Sequence, residues 1–144
     1  MHITYKGDYA LKAILELSLE YGKNLVTISE LAKRIDAPEK FLEQILLDLK
    51  RAGFVESKRG KVGGYILSRP PSEIKLGEVI RFIDGPLEPV ACIEKDYKDC
   101  RDVANCIFRQ IWQQVYQATS SIIDSLTFEE LVKRVKKEEP IYYI

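Results

Sequence analysis

A mainly α chain with one small β-hairpin follows from three observations. Two short helical patterns meet across a tight turn between Ile35 and Glu39. Two β-prone runs then flank a glycine-rich basic loop, Arg59 to Gly64. Further on, Val103 to Leu126 contains no glycine or proline and repeats apolar residues at 4-4-3-4-4 spacing. The first two observations predict a winged helix-turn-helix with a β-hairpin wing. The third predicts a long C-terminal dimerisation helix.

The elements follow in order. Tyr9 to Tyr21 carries an apolar face of Leu11, Ile14, Leu15 and Leu17, with Ser18 beside them, and Gly22 stops it. Asp8 stands where an N-cap would. Thr27 and Glu30 have capping-box spacing ahead of a short helix through Ile35. Asp36-Ala37-Pro38-Glu39 turns into the next helix, with Pro38 in its first turn. That helix buries Phe41, Leu42, Ile45, Leu46 and Leu49. Its outer face carries Glu39, Lys40, Glu43, Gln44, Lys50 and Arg51. Phe54 to Lys58 and Tyr65 to Ser68 are the hairpin strands. Leu76 to Ile83 is a short helix, and Asp84 to Pro89 a rigid linker. The 4-4-3-4-4 stripe is Ile107, Ile111, Val115, Ala118, Ile122 and Leu126, on a helix roughly 36 Å long. Phe108, Trp112, Tyr116 and Ile123 widen it, so the helix calls for a second partner, a twin subunit. Thr127 to Glu130 opens a last helix. The apolar tail Pro140 to Ile144 is expected to dock. The organisation predicted is a DNA-binding module over 1–84, a linker and cysteine-bearing sensor loop over 85–106, and a dimerisation helix with its tail over 107–144.

Composition narrows the function. The chain has 144 residues, 46% hydrophobic and 31% charged, enough for a core and too polar for a membrane span. Its first residues lack leader character, so a cytoplasmic location is expected. Net charge is zero, but it is uneven. Twelve Lys/Arg face nine Asp/Glu through Arg69, and ten face thirteen beyond it. From Lys50 to Lys61 five basic residues meet one acidic residue. A local basic patch on a neutral chain suits a DNA reader, although a short basic cluster is also what any solvated turn presents. Lys58, Arg59, Gly60 and Lys61 would meet phosphates or the minor groove from the wing. Glu39, Lys40, Glu43 and Gln44 would face the major groove from the second helix. Phosphate-loop and dinucleotide-binding glycine motifs are absent. The only histidine is His2, which leaves no nucleophile–base pair for an enzyme.

All three cysteines fall in one polar stretch, Cys92-x7-Cys100-x5-Cys106. Free cysteine usually behaves as a small buried hydrophobe. Three on one charged loop, among Glu94, Lys95, Asp96, Lys98, Asp99, Arg101 and Asp102, read instead as soft ligands for a metal or an iron–sulfur cluster. The spacing is not that of a zinc finger or a thioredoxin-like site. An odd count in a chain without a leader argues against a disulfide framework.

These residues resemble a known family over essentially the whole chain. Tyr5-Lys6-Gly7-Asp8-Tyr9-Ala10-Leu11, Phe41-Leu42-Glu43-Gln44, Arg59-Gly60 with Gly63-Gly64-Tyr65, and Gly77-Glu78-Val79-Ile80 are arranged as in the bacterial winged-helix regulators that include IscR, NsrR and CymR. The resemblance implies a homodimer built on the long helix. Iron–sulfur members carry three cysteines after the equivalent of Pro89-Val90, as here. The closing Tyr-Tyr-Ile is similar to the tail of CymR-like members, which lack the cysteine cluster. IscR-like members place a histidine ligand three residues after the third cysteine; here Arg109 stands there and cannot ligate. NsrR-like members take an aspartate from the partner's first helix, and Asp8 occupies the matching place. Asp8 is therefore preferred to His2 as fourth ligand, with a thiol, a water or a small molecule also open. Either cluster type suits carboxylate ligation, with 2Fe–2S placed ahead of 4Fe–4S.

The reading is a dimeric DNA-binding transcriptional regulator, a repressor, that recognises a palindromic operator. An iron–sulfur cluster on Cys92, Cys100, Cys106 and Asp8 controls its affinity. The alternative keeps the fold without the cluster, with control by thiol redox, zinc or a regulatory protein partner.

Overall fold

The computed structural model describes residues 2–94, 97–101 and 103–138. Lys95, Asp96 and Asp102 of the cysteine stretch lie outside the described residues, as does the tail Pro140 to Ile144 with its expected docking.

Helix α1 (Tyr5–Leu19) runs through the centre of the chain's core. It starts four residues earlier than the sequence suggests, and Asp8 does not cap it. Thr4 does: its hydroxyl accepts from the Gly7 N–H at 3.0 Å. The Asp84 carboxylate fixes that cap by accepting from the Thr4 N–H and the Thr4 hydroxyl. Gly7 leaves room for this arrangement, because a Cβ there would displace the Asp84 carboxylate. The buried stripe of α1 is Ala10, Ala13, Ile14 and Leu17. Leu11 and Leu15 are only half-buried and flank it. Ser18 is buried because its hydroxyl donates to the Ile14 carbonyl at 2.6 Å.

Helices α2 (Ile28–Ile35) and α3 (Glu39–Arg51) form the helix-turn-helix. Thr27 caps α2 by accepting from the Glu30 N–H at 3.2 Å, worth about 1 kcal/mol in general. Asp36 then turns through the left-handed region at φ 53°, which Asp tolerates better than most residues. Pro38 precedes α3 as its N-cap rather than sitting inside the first turn. Leu42, Ile45, Leu46 and Leu49 are completely buried. Phe41 is not part of that face: it is 37% exposed and meets Tyr9 edge-on at 5.8 Å between ring centres.

Strands β1 (Val55–Lys58) and β2 (Gly64–Leu67) pair antiparallel, Val55 opposite Leu67 and Lys58 opposite Gly64. Val26 adds a third edge through reciprocal bonds with Tyr65, at 3.1 and 2.8 Å. Gly64 permits that contact, since a Cβ there would lie 2.8 Å from the Val26 carbonyl oxygen.

A 3-10 turn (Pro71–Glu73) leads to α4 (Leu76–Asp84), which lies along α1. Helix α5 (Ile107–Ile123) begins after Cys106, not at Val103. It buries no residue completely. Ile107, Ile111, Val115 and Ile122 are 62, 44, 42 and 62% exposed, so the chain's own core does not cover this part of the predicted stripe, whereas Leu126 falls beyond the end of α5 and is half-buried. Helix α6 (Phe128–Glu138) returns to the body and packs on α1. Phe128 is fully buried there, and the Phe128 N–H donates to the Ile74 carbonyl at 3.0 Å. The architecture is thus mainly helical, with one hairpin wing. No described helix is long and apolar enough to cross a membrane.

Candidate nucleic-acid interface and cysteine segment

The outer face of α3 is set by its inner one. Four leucine and isoleucine side chains fix the helix on α1 and α2, so the opposite positions point away from the body. Glu39, Lys40, Glu43 and Gln44 are all exposed. Ser29 donates to Glu39 at 3.4 Å across the turn. Lys6 reaches Asp48 at 2.6 Å, and Arg51 approaches the same carboxylate at 3.7 Å. The hydrogen bond from Lys6 holds the Asp48 carboxyl below its ordinary range. The Ser29 and Lys6 contacts orient α3 on the body without occupying Lys40 or Glu43, while Gln44 lies beside Asp48 and also lowers its pKa. Leu47 belongs to the same outward face at 41% exposure. The sequence reading missed it, although a step of 100° per residue places it between Glu43 and Gln44.

The wing begins where α3 ends. Lys50 donates to the Ser57 hydroxyl at 2.8 Å and ties β1 to the helix. The tip turns at Gly60, φ 118°, and closes with the Gly63 N–H on the Gly60 carbonyl at 3.1 Å. Lys58, Arg59, Gly60 and Lys61 are exposed. Lys58, Arg59 and Lys61 form no ion pair with the described residues. Their charges are therefore available to an external anion.

The cysteines lie in the segment that leads into α5. Cys92 is on a 3-10 turn (Ala91–Ile93) and half-buried, Cys100 is exposed, and Cys106 is half-buried immediately before α5. All three are free thiols. Arg109 Nε donates to the Cys92 carbonyl at 3.0 Å, which fastens the first cysteine's turn to the first turn of α5. The loop's two ends are thus held together, and Cys100 is exposed. Among the described residues no three His, Cys, Asp or Glu side chains form a metal-holding group. The donor chemistry fits a cluster with three thiolate ligands, although the three thiols do not meet among the described residues.

Asp8 lies on the first turn of α1, paired with Lys12 at 2.7 Å and half-exposed. That pairing raises the Lys12 pKa. His2 and Asp8 line one shallow cavity of about 340 Å³ with Ile3, Thr4 and Tyr5. Both candidate fourth ligands therefore belong to one surface.

One ion pair joins α5 to the body, and sequence reading did not foresee it. Arg81 on α4 clasps Asp124 with two bonds, 2.5 and 3.0 Å. It also reaches the Tyr116 hydroxyl at 3.4 Å and Ser120 at 3.5 Å. The hydrogen bonds raise the Arg81 pKa and lower that of Asp124. Gly77 leaves the space, because a Cβ there would collide with the Asp124 carboxylate.

Comparison with known proteins agrees with this geometry. The chain is 43% identical over 137 residues to the rrf2-like HTH-type transcriptional regulator of Rhodobacter capsulatus, covering 90% of this chain and 91% of that one. It is 32% identical over 142 residues to the HTH-type regulator CymR of Bacillus subtilis, 99% of this chain and 97% of CymR. The solved structure of that CymR, described as the global cysteine regulator, superposes with a TM-score of 0.79 at 31% identity, over 93% of this chain and 98% of that one. The IscR structure from T. potens gives 0.73 at 29% identity, over 94% and 88%. Residues 3–134 match the family model Rrf2, described as iron-dependent transcriptional regulators. A helix-turn-helix, a basic wing and this match together place the chain in the Rrf2 family of DNA-binding transcriptional regulators.

Proposed function

We propose that the chain is a cytoplasmic, homodimeric repressor whose affinity for a palindromic operator is set by an iron–sulfur cluster. The carrying observation is the apolar face of α5, whose residues from Ile107 to Ile122 stay exposed on the single chain. A second copy packed on that stripe removes it from water and brings two DNA-binding heads into one particle. In each head Gln44 and Glu43 read base edges, Glu39 and Lys40 flank them, and Lys58, Arg59, Gly60 and Lys61 hold the backbone. Residues 1–84 carry the reading surface, 85–106 carry the sensor, and α5 carries the pairing.

Cys92, Cys100 and Cys106 would hold the cluster, with Asp8 of the twin subunit as fourth ligand and a 2Fe–2S centre preferred to 4Fe–4S. When bound, such a group supplies a redox- and supply-sensitive tie between the cysteine loop and α1. Support comes from the family's description as iron-dependent and from the free state of all three thiols. Arg109 holds the Cys92 backbone, which keeps two of the three legs near the base of α5. Because half-sites recur at about 34–36 Å or multiples of it, a small change in the spacing of the heads changes affinity. The tie matters only as far as it fits one arrangement of the heads better than the other.

A second reading is favoured by the fit to CymR over nearly the whole of both chains. In it the three thiols act without a cluster, as a redox or zinc switch, or a protein partner sets the DNA affinity. One experiment separates the two. Anaerobically purified protein is analysed for visible absorption, iron and sulfide, and its operator affinity is titrated before and after cluster removal. Brown protein with a changed affinity on removal supports the first reading. Colourless protein whose affinity follows thiol oxidation or zinc sinks it in favour of the second.

A further inference from the structure

Leu47 places an apolar side chain at the centre of a polar surface. The 100° step of the helix puts Lys40, Glu43, Gln44, Leu47 and Arg51 together, opposite the four buried residues of α3. Leu47 sits between Glu43 and Gln44 in angle and one turn further along, and it is 41% exposed. An isolated exposed leucine is ordinary on a protein surface, so exposure alone decides nothing. Position decides. Phe41, also exposed on α3, is accounted for by its edge contact with Tyr9. Leu47 faces outward, where a Lys or Arg would have added a phosphate contact.

Among the base-pair edges of the major groove, only thymine presents an apolar group, its C5 methyl. We propose that Leu47 determines sequence by packing on a thymine methyl in the operator. This rests on the reading of α3 as the major-groove helix. One turn of helix rises about 5.4 Å, so the thymine lies one or two base steps from the pair that Gln44 reads. The contact gives no long-range attraction. It therefore sets which sequence is preferred while contributing nothing to binding of random DNA, unlike the wing cations.

The test removes single methyl groups. Operators are first recovered by the full chain from a pool of random duplexes. Each thymine of the recovered operator is then replaced by deoxyuridine, which differs only in lacking the C5 methyl. Binding is measured for the wild type, Leu47→Ala and Leu47→Met. Leu47 is exposed and alanine favours helix, so Leu47→Ala should melt as the wild type does. At one thymine per half-site, uracil should weaken the wild type about fourfold, the effect of one buried methyl group. The same replacement should leave Leu47→Ala unchanged, and Leu47→Met should keep the discrimination. If no uracil matters to the wild type, or if it costs Leu47→Ala equally, Leu47 reads no methyl. Recovery of no preferred sequence by the wild type would overturn the major-groove reading of α3 itself, and this inference with it.

Discussion

Arg109 and Cys92 are joined by a 3.0 Å bond from a guanidinium N–H to a backbone carbonyl. In the IscR-like pattern the place of Arg109 belongs to a histidine ligand. Here that side chain serves the loop's geometry and donates no electron pair. The proposed three-cysteine site would therefore need its fourth ligand from another residue.

The first prediction follows directly. Cys92→Ala, Cys100→Ala and Cys106→Ala should each abolish or greatly weaken iron and sulfide binding, while the thermal melt stays near wild type. No variant disturbs the core, because none of the three thiols is fully buried. Asp8→Ala should alter the cluster's absorption spectrum if Asp8 ligates across the dimer. Otherwise it removes only a solvent-exposed pair with Lys12 and leaves the spectrum unchanged. Full iron and sulfide in all three cysteine variants would falsify the ligand assignment.

Ile111→Glu tests the pairing of subunits. Ile111 is 44% exposed on the single chain, so the substitution should leave the monomer's circular dichroism intact. Buried in a dimer, an unpaired carboxylate costs several kcal/mol. Sedimentation should then show monomers at concentrations where the wild type is dimeric. A variant that stays dimeric removes α5 as the dimer interface.

Gln44→Ala and Arg59→Ala should fail in different ways. Gln44 can bond an adenine edge bidentately, so its loss should cost about 1–3 kcal/mol at the operator and relax sequence preference. Arg59 forms no ion pair among the described residues, and its loss should weaken binding to every sequence. Its loss should also flatten the log–log salt dependence by roughly one unit per contact. Operator and random DNA bound by Arg59→Ala as tightly as by wild type, at an unchanged salt slope, would return the wing to a solvated turn.

The Arg81–Asp124 clasp predicts an acid response. Hydrogen bonding to Arg81 lowers the Asp124 pKa in the folded chain. A depressed carboxylate stabilises the fold above its unfolded pKa, near 3.9, and loses that contribution as pH falls through the folded value. Acid unfolding of the wild type should therefore show a component that Asp124→Asn lacks. Because both side chains are partly exposed, at 32 and 42%, its size should shrink in high salt. An identical stability–pH curve for the wild type and Asp124→Asn would show that the clasp carries no stability.

Much of this fold is legible because its causes are local. The Thr27 cap, the apolar stripe of α3 and the glycine-rich tip each arise within a few residues of chain. What the sequence hides depends on distant partners. Thr4 rather than Asp8 begins α1, because Asp84, eighty residues away, holds the cap in place. Ala10 and Ala13 are fully buried although alanine carries little hydrophobic signal, because α4 and α6 both lie against α1. Phe41 reads as core by composition, yet Tyr9 receives it at the rim. In the candidate interface, the face of Gln44 and Glu43 follows from helical period alone. The arrangement of the cysteines does not, since it depends on how the loop from Cys92 to Cys106 closes, as in the Arg109 bond to the Cys92 carbonyl.

Helix α5 is held unequally at its two ends. At its C-terminal end Arg81 grips Asp124, Leu76 donates to the Leu126 carbonyl at 2.9 Å, and Phe128 is sunk in the core. At its N-terminal end the Arg109–Cys92 bond ties it to the cysteine turn. In mechanical terms it is a cantilever, clamped at one end and lightly pinned at the other. Seventeen residues make a beam of roughly 26 Å. A tilt of about 5° at the clamp moves the tip by roughly 2 Å, by geometry on that length. Such a beam magnifies small rotations of the body into displacements at the cysteines, and a constraint placed on the cysteines acts back on the body with the longest available arm.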